Sequence, residues 1–195
     1  MPTLYLVRHA QPAAAWSEAL DPGLSETGRQ QAAAAAQTLA ELESSLPLFS
    51  SPLQRCRETA APLAASWRTG VNIMPEVAEI PSPPLDLAAR SRWLVNAMRG
   101  DWEQLQASAP AESPNYSRWR AELVSALKAL RRDAIIFTHY LSINIAVGAA
   151  QNSERVVNFQ PAHASITEIA IDAGVFSVRR LGREAPLNNG ILLGR

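Results

Sequence analysis

Residues 3–7, Thr-Leu-Tyr-Leu-Val, form a short apolar run that stops abruptly at Arg8-His9. A run of this length, rich in residues that favour pleated structure, suits a buried strand. Arginine and histidine are poor core residues, so the strand must end where they begin and project them beyond the sheet. Residues 134–138, Ala-Ile-Ile-Phe-Thr, repeat the pattern and end at His139. In open α/β sheets the edge beyond the strand ends is where ligands bind. An isolated Arg-His pair can also simply open a solvated loop; two such strands, both ending in histidine, argue for a shared edge.

The intervening sequence alternates between the two periodicities. A loop over 11–23 leads to Ser25, a good N-cap because its hydroxyl accepts a free backbone N–H, and 30–43 are dominated by strong helix formers. Residues 46–49 read as a short strand. Ser51-Pro52 then reads as a helix start, since proline at the first helical position loses no hydrogen bond, and that helix reaches about Trp67. Residues 71–74 suit a further strand. Ser113-Pro114 repeats the helix start before a helix over 116–130, and 141–150 follow as an apolar helix. Residues 165–171 and 175–178 predict a hairpin across Asp172-Ala173-Gly174. Strands alternating with helices predict an α/β fold, a three-layer sandwich with a largely parallel central sheet flanked by helices.

Residues 75–114 differ, with Pro81, Pro83, Pro84 and Pro110 around a single expected helix over 87–98. This segment reads as a short cap or crossover laid over the sheet edge. The 195 residues are then one domain, 1–195, with 75–114 inserted.

Composition narrows the function classes. Lys+Arg and Asp+Glu are both 18, giving zero formal net charge, whereas nucleic-acid binding normally leaves a basic excess. The single cysteine, Cys56, cannot form an internal disulfide or a Cys-rich zinc site. Neither a signal-peptide pattern nor an apolar stretch long enough to cross a bilayer stands out. The expectation is a cytoplasmic protein with no nucleic-acid or membrane partner and an open oligomeric state.

Two histidines, two arginines and a helix N-terminus around one sheet edge would suit a dianion. Arg8 and Arg55 can each donate a fork of hydrogen bonds to phosphoryl oxygens, and a helix start attracts anions. The same residues carry a family resemblance. Leu6-Val7-Arg8-His9, Leu24-Ser25-Glu26-Thr27-Gly28 with Gln31-Ala32, the stretch Ser51-Pro52-Leu53-Gln54-Arg55-Cys56-Arg57-Glu58-Thr59-Ala60, and Phe137-Thr138-His139 follow one another in order. Together they resemble the motifs of the histidine phosphatase (phosphoglycerate mutase-like) superfamily.

The resemblance implies a phosphatase that hydrolyses phosphomonoesters through a phosphohistidine on His9, with Arg8, Arg55 and His139 binding the phosphoryl group. It implies no metal and no cofactor, and a phosphorylated small molecule or a phosphoprotein as substrate. A glutamate before the cap would protonate the leaving group; Glu79 fits that place, with Glu76 as its competitor. Two alternatives stay open: a phosphoglycerate-type mutase, and a phosphate-binding regulatory module with weak turnover. They are kept open by departures from the family pattern. Ala10 and Tyr140 stand where the family has glycine, and Ile80-Pro81-Ser82-Pro83-Pro84 replaces the family's Gly-x-Trp-Glu-Gly.

Other residues have competing readings. His163 occupies a place where the family often has asparagine; a structural role competes with one at the rim of the site. Arg90 and Arg92 can recognise a second anionic group or form the wet face of a helix. Trp16, Trp93 and Trp102 can line a pocket or pack the cap.

Overall fold

The computed structural model describes residues 1–15, 18–42 and 45–186. Six strands form one mixed sheet: β1 (Thr3–Arg8), β2 (Leu48–Ser50), β3 (Val71–Ile73), β4 (Ala134–Thr138), β5 (Ile166–Asp172) and β6 (Val175–Arg180). Their order is β3-β2-β4-β1-β5-β6. The first four lie parallel, while β5 runs antiparallel to β1 and β6 antiparallel to β5. Six helices flank the sheet: α1 (Glu26–Ala40), α2 (Gln54–Trp67), α3 (Leu87–Ala97), α4 (Trp102–Ser108), α5 (Tyr116–Ala129) and α6 (Tyr140–Gln151).

The two-residue alternation of the strands sorts the core into two halves. Leu4, Leu6, Ala134, Ile136, Ile169 and Ile171 pack with side chains from α3 to α6. Val7, Leu48, Ile135 and Phe137 point the other way, onto Ala36 and Leu39 of α1 and Cys56, Ala60 and Leu63 of α2. Every residue of β4 is buried, which explains its unbroken apolar sequence. Each such aliphatic side chain contributes about 1.5–3 kcal/mol when taken from water.

The register places the functional ends side by side. Arg8 pairs with Thr138, and the His9 N–H donates to the Thr138 carbonyl at 2.9 Å. Ser50 pairs with Phe137. The chain leaves β1 toward α1 on one face and β4 toward α6 on the other. Adjacent strands with opposite connections open a crevice at their carboxyl ends, and His9 and His139 stand at it.

Several boundaries differ from expectation. α2 starts later, with Leu53 as N-cap and no side-chain cap, because the Ser51 N–H donates to the Phe137 carbonyl at 2.9 Å and prolongs the strand. Asn115, not Ser113, caps α5. α1 ends at Ala40, with Glu43 outside the described residues. Within 75–114 a single 3-10 turn (Pro75–Val77) and a second helix, α4, join the expected α3. α4 opens with a capping box in which Asp101 accepts from the Gln104 N–H and the Gln104 side chain accepts from the Asp101 N–H. The hairpin forms, with β6 reaching Arg180 and Ala173 and Gly174 both at positive φ in the turn.

Candidate active site

Arg8, His9, Arg55 and His139 are all buried and converge at the carboxyl edge. The His9 and His139 ring centroids are 5.3 Å apart. Nδ1 of His9 lies 2.8 Å from the Ala10 carbonyl, which can only accept, so Nδ1 carries the proton. Nε2 has no hydrogen bond among the described residues and keeps its lone pair. Burial, followed by the charges of Arg55 and Arg8, holds the His9 pKa well below the usual histidine value. The imidazole is neutral at physiological pH.

Two sequence motifs hold this backbone in place. The Ala10 N–H donates to Thr59 Oγ1 at 3.0 Å, and Thr59 in turn donates to the Arg55 carbonyl at 2.6 Å. The Gln11 N–H donates to Gln31 Oε1, while the Gln11 carbonyl accepts from the Ser25 N–H and hydroxyl. Gly28 lies against that carbonyl: a Cβ there would sit 2.1 Å from Gln11 O. The Leu24–Ala32 motif thus clamps the turn that follows His9.

Arg55 is nearly inaccessible, yet its Nε and Nη1 make no hydrogen bond among the described residues. Nη2 donates to His139 Nδ1 at 3.2 Å, and Nη1 stands 3.6 Å from Asp21 Oδ1. With Nδ1 accepting, His139 carries its proton on Nε2 and donates to Ser51 Oγ at 2.7 Å. Both nitrogens of His139 are engaged within the protein, so contact with a phosphoryl oxygen requires Nδ1 to give up its bond from Arg55 and to gain a proton. Arg8 donates from Nη1 to the Pro161 carbonyl at 2.8 Å, has no hydrogen bond at Nε among the described residues, and lies 5.1 Å from the centroid of the Tyr140 ring. Burial lowers its pKa to about 10, which still leaves it cationic. The expected free N–H groups at the start of α2 are partly taken: the Gln54 N–H donates to the Asp21 carboxylate at 2.8 Å.

Glu79 is carried to the same place. Thr138 and Ser142 donate to the carbonyls of Val77 and Ala78 at 2.6 and 2.8 Å, fixing the segment that precedes it. Its carboxylate accepts from the Ile80 N–H at 3.0 Å and is also drawn by the Leu141 N–H in the first turn of α6. Burial raises its pKa; the Ile80 N–H, Arg55 and Arg8 act against that rise. Glu76 is exposed on the 3-10 turn, so between the two glutamates the geometry favours Glu79.

Arg90 is half-buried within electrostatic reach of Arg55 and Glu79, whereas Arg92 is exposed. Trp93 stacks on Tyr116, half-buried against the core and lining a cavity, while Trp102 packs beside Trp119 within the core; Trp16 lies outside the described residues. The Tyr140 hydroxyl is buried without a partner among the described residues, and burial raises its pKa to about 12. The sequence reading missed Asp21 and the Ala10 carbonyl. Asp21 has no motif around it, and a carbonyl carries no residue signature. Among the described residues no group of three or more His, Cys, Asp or Glu side chains is arranged to hold a metal ion. No helix among them is long and apolar enough to cross a membrane.

A model of the histidine phosphatase superfamily (branch 1) matches residues 4–184. The chain belongs to that superfamily. Solved structures of similar fold include a mycobacterial glucosyl-3-phosphoglycerate phosphatase complexed with VO3, with TM-score 0.74 and 21% identity over 95% of this chain and 100% of that one. A phosphoserine phosphatase mutant from Entamoeba histolytica, in complex with phosphoserine, has TM-score 0.71 and 18% identity over 93% and 96%. Bacillus stearothermophilus YhfR has TM-score 0.76 and 18% identity over 92% and 96%. At these identities the likeness is one of fold. A comparison with curated proteins gives no match. Membership of that superfamily supports a phosphatase or mutase enzyme.

Proposed function

We propose that this histidine phosphatase is a phosphomonoesterase that works through a phosphohistidine on His9. The observation that carries the reading is the His9 tautomer: a neutral imidazole with Nδ1–H held by Ala10 O and Nε2 free. Around it Arg8 and Arg55 each keep a buried Nε–H with no hydrogen bond among the described residues. Phosphoryl transfer needs mainly positioning and neutralisation of charge spread over three oxygens, and unpaired cationic donors supply both.

In this mechanism His9 Nε2 attacks phosphorus in line and the bond to the leaving oxygen breaks. Arg8 and Arg55 hold the equatorial oxygens. His139 Nδ1 accepts from Arg55, and only once protonated there does it donate to a phosphoryl oxygen. Protonated Glu79 gives its proton to the leaving alkoxide. Water then attacks phospho-His9, Glu79 accepts the water proton, and His9 and inorganic phosphate are released. Splitting one displacement into two lowers each barrier. Residues 75–114 form the lid side of the site, through Glu79 and Arg90. Phosphatase chemistry is favoured over mutase chemistry because Arg92 and Arg99 are exposed, leaving Arg90 as the basic residue of that segment near the site.

The test is a rapid quench with labelled phosphoester. Acid-labile, base-stable label should appear in the wild type and be absent from His9→Ala; label retained in that variant would place the nucleophile elsewhere. Supplying 3-phosphoglycerate with a bisphosphoglycerate primer separates the two reactions, and isomer formed faster than phosphate would overturn the phosphatase reading.

A further inference from the structure

His163 is a third histidine at the His9 ring. Their centroids are 5.6 Å apart with the planes inclined by 43°, and His163 Nε2 is buried with no hydrogen bond among the described residues. Its position is built into the backbone. The Ser165 N–H donates to the Ala162 carbonyl at 3.1 Å, closing a turn that contains His163 and Ala164. Ala164 has φ +54°, a left-handed conformation that is uncommon for a residue with a side chain. The Ala164 N–H donates to the Arg8 carbonyl at 3.1 Å and approaches the His9 carbonyl at 3.4 Å. The turn is therefore bolted to the two residues that open the site, and a strained backbone is kept where it sets a side chain beside His9.

We propose that His163 is a further phosphoryl-binding residue, its neutral imidazole donating Nε2–H to a phosphoryl oxygen held over His9. This rests on the phosphomonoesterase reading given above. An unpaired polar atom in a buried place is costly unless something completes it, and next to His9 the group that arrives is the phosphoryl. Burial, then the charges of Arg8 and Arg183, keep the ring pKa near 3, so His163 adds a donor to the site without adding a third full charge beside Arg8 and Arg55.

The experiment measures binding of inorganic phosphate to the full chain by calorimetry, with thermal unfolding as the fold control. His163→Ala removes the donor and should weaken phosphate binding about 10-fold or more, as for a hydrogen bond to a charged acceptor. His163→Gln offers an amide N–H at comparable reach and should recover affinity to within about 3-fold, a rescue that a purely packing residue would not require. Arg55→Lys is measured beside them. Loss in Arg55→Lys with unchanged affinity in His163→Ala would overturn the role of His163 alone. Equal weakening in the alanine and glutamine variants would also overturn it, by assigning His163 to shape. A wild-type protein with no affinity for phosphate would overturn both this proposal and the phosphatase reading.

Discussion

Gly28→Ala sets helix propensity against packing. In the first turn of α1, alanine is intrinsically better than glycine by about 1 kcal/mol, so propensity alone predicts a more stable protein. The structure predicts the reverse. The new Cβ would lie 2.1 Å from Gln11 O and 3.1 Å from Gln11 C, and both atoms are backbone, so relief requires α1 and the post-His9 turn to separate by about 1 Å. That movement strains the Gln11 carbonyl's bonds from the Ser25 N–H and hydroxyl and the Gln11 N–H bond to Gln31. Overpacking of this kind costs about 1–3 kcal/mol, and each weakened bond adds about 1 kcal/mol. Subtracting the propensity gain leaves a loss of about 3–5 kcal/mol, or roughly 6–20 °C in Tm for a chain of this size. Activity should fall further, because the Ala10 carbonyl that fixes His9 is the neighbouring peptide. A shift approaching 1 Å at a reacting group costs about 100-fold. Thermal unfolding and kcat/KM on nitrophenyl phosphate read the two effects. Ser25→Ala, which loses the cap without the clash, should cost only about 1 kcal/mol. A Gly28→Ala protein as stable and active as the wild type would refute the clamp.

Glu79→Gln should slow alkyl phosphates far more than nitrophenyl phosphate, whose phenolate leaves without a proton; an equal loss on both would remove Glu79 as general acid. Because burial raises the Glu79 pKa, its acid form persists above the ordinary carboxylate range, and kcat/KM on an alkyl phosphate should fall as pH rises through that value, a limb absent in Glu79→Gln. Arg55→Lys keeps the charge and loses the planar fork, so transition-state stabilisation should drop by about 2 kcal/mol or more in kcat/KM; near-normal kinetics would exclude the fork. His9, His139 and His163 all have depressed folded pKa values, so the unfolded chain takes up more protons as pH falls below about 6.5. Their stabilisation is complete above that pH and is lost toward acid at about 1.4 kcal/mol per unit for each histidine. Glu79, with a raised pKa, opposes this by up to one equivalent; urea unfolding at pH 7 and 5.5 should show the loss, and His163→Gln should reduce it.

What was legible in the sequence was what side-chain chemistry repeats along the chain. The unbroken apolar runs at 3–7 and 134–138 announced buried strands, and the core divides across their two faces. The ordered motifs pointed to His9, Arg55 and His139 as neighbours, and all three stand at the carboxyl edge of the sheet. The illegible parts depend on backbone groups and on where one segment meets another. Ser51-Pro52 reads locally as a helix start, yet pairing with Phe137 draws Ser51 onto the sheet edge and presents its hydroxyl to His139. Tertiary hydrogen bonding outweighed a local preference there. α4 hid in a proline-rich segment because it is short, although its Asp101 and Gln104 spacing was a readable capping signal.

His163 shows why composition and spacing run out at this point. It follows His9 by 154 positions, and nothing in its neighbours marks it as more than a lone histidine. Its nearness to His9 arises because β5 pairs with β1 and the preceding turn docks onto the Arg8 and His9 carbonyls. The two motif histidines reach the site on parallel strands, and the third arrives from an antiparallel one. A site assembled from both sides of β1 has less freedom to rearrange than one hung from a single loop, since moving either wall breaks sheet hydrogen bonds. Rigidity of that kind favours a preorganised cradle for a phosphoryl group. Residues 75–114 add no strand to the sheet, and there Arg90 stands near Glu79 and Arg55.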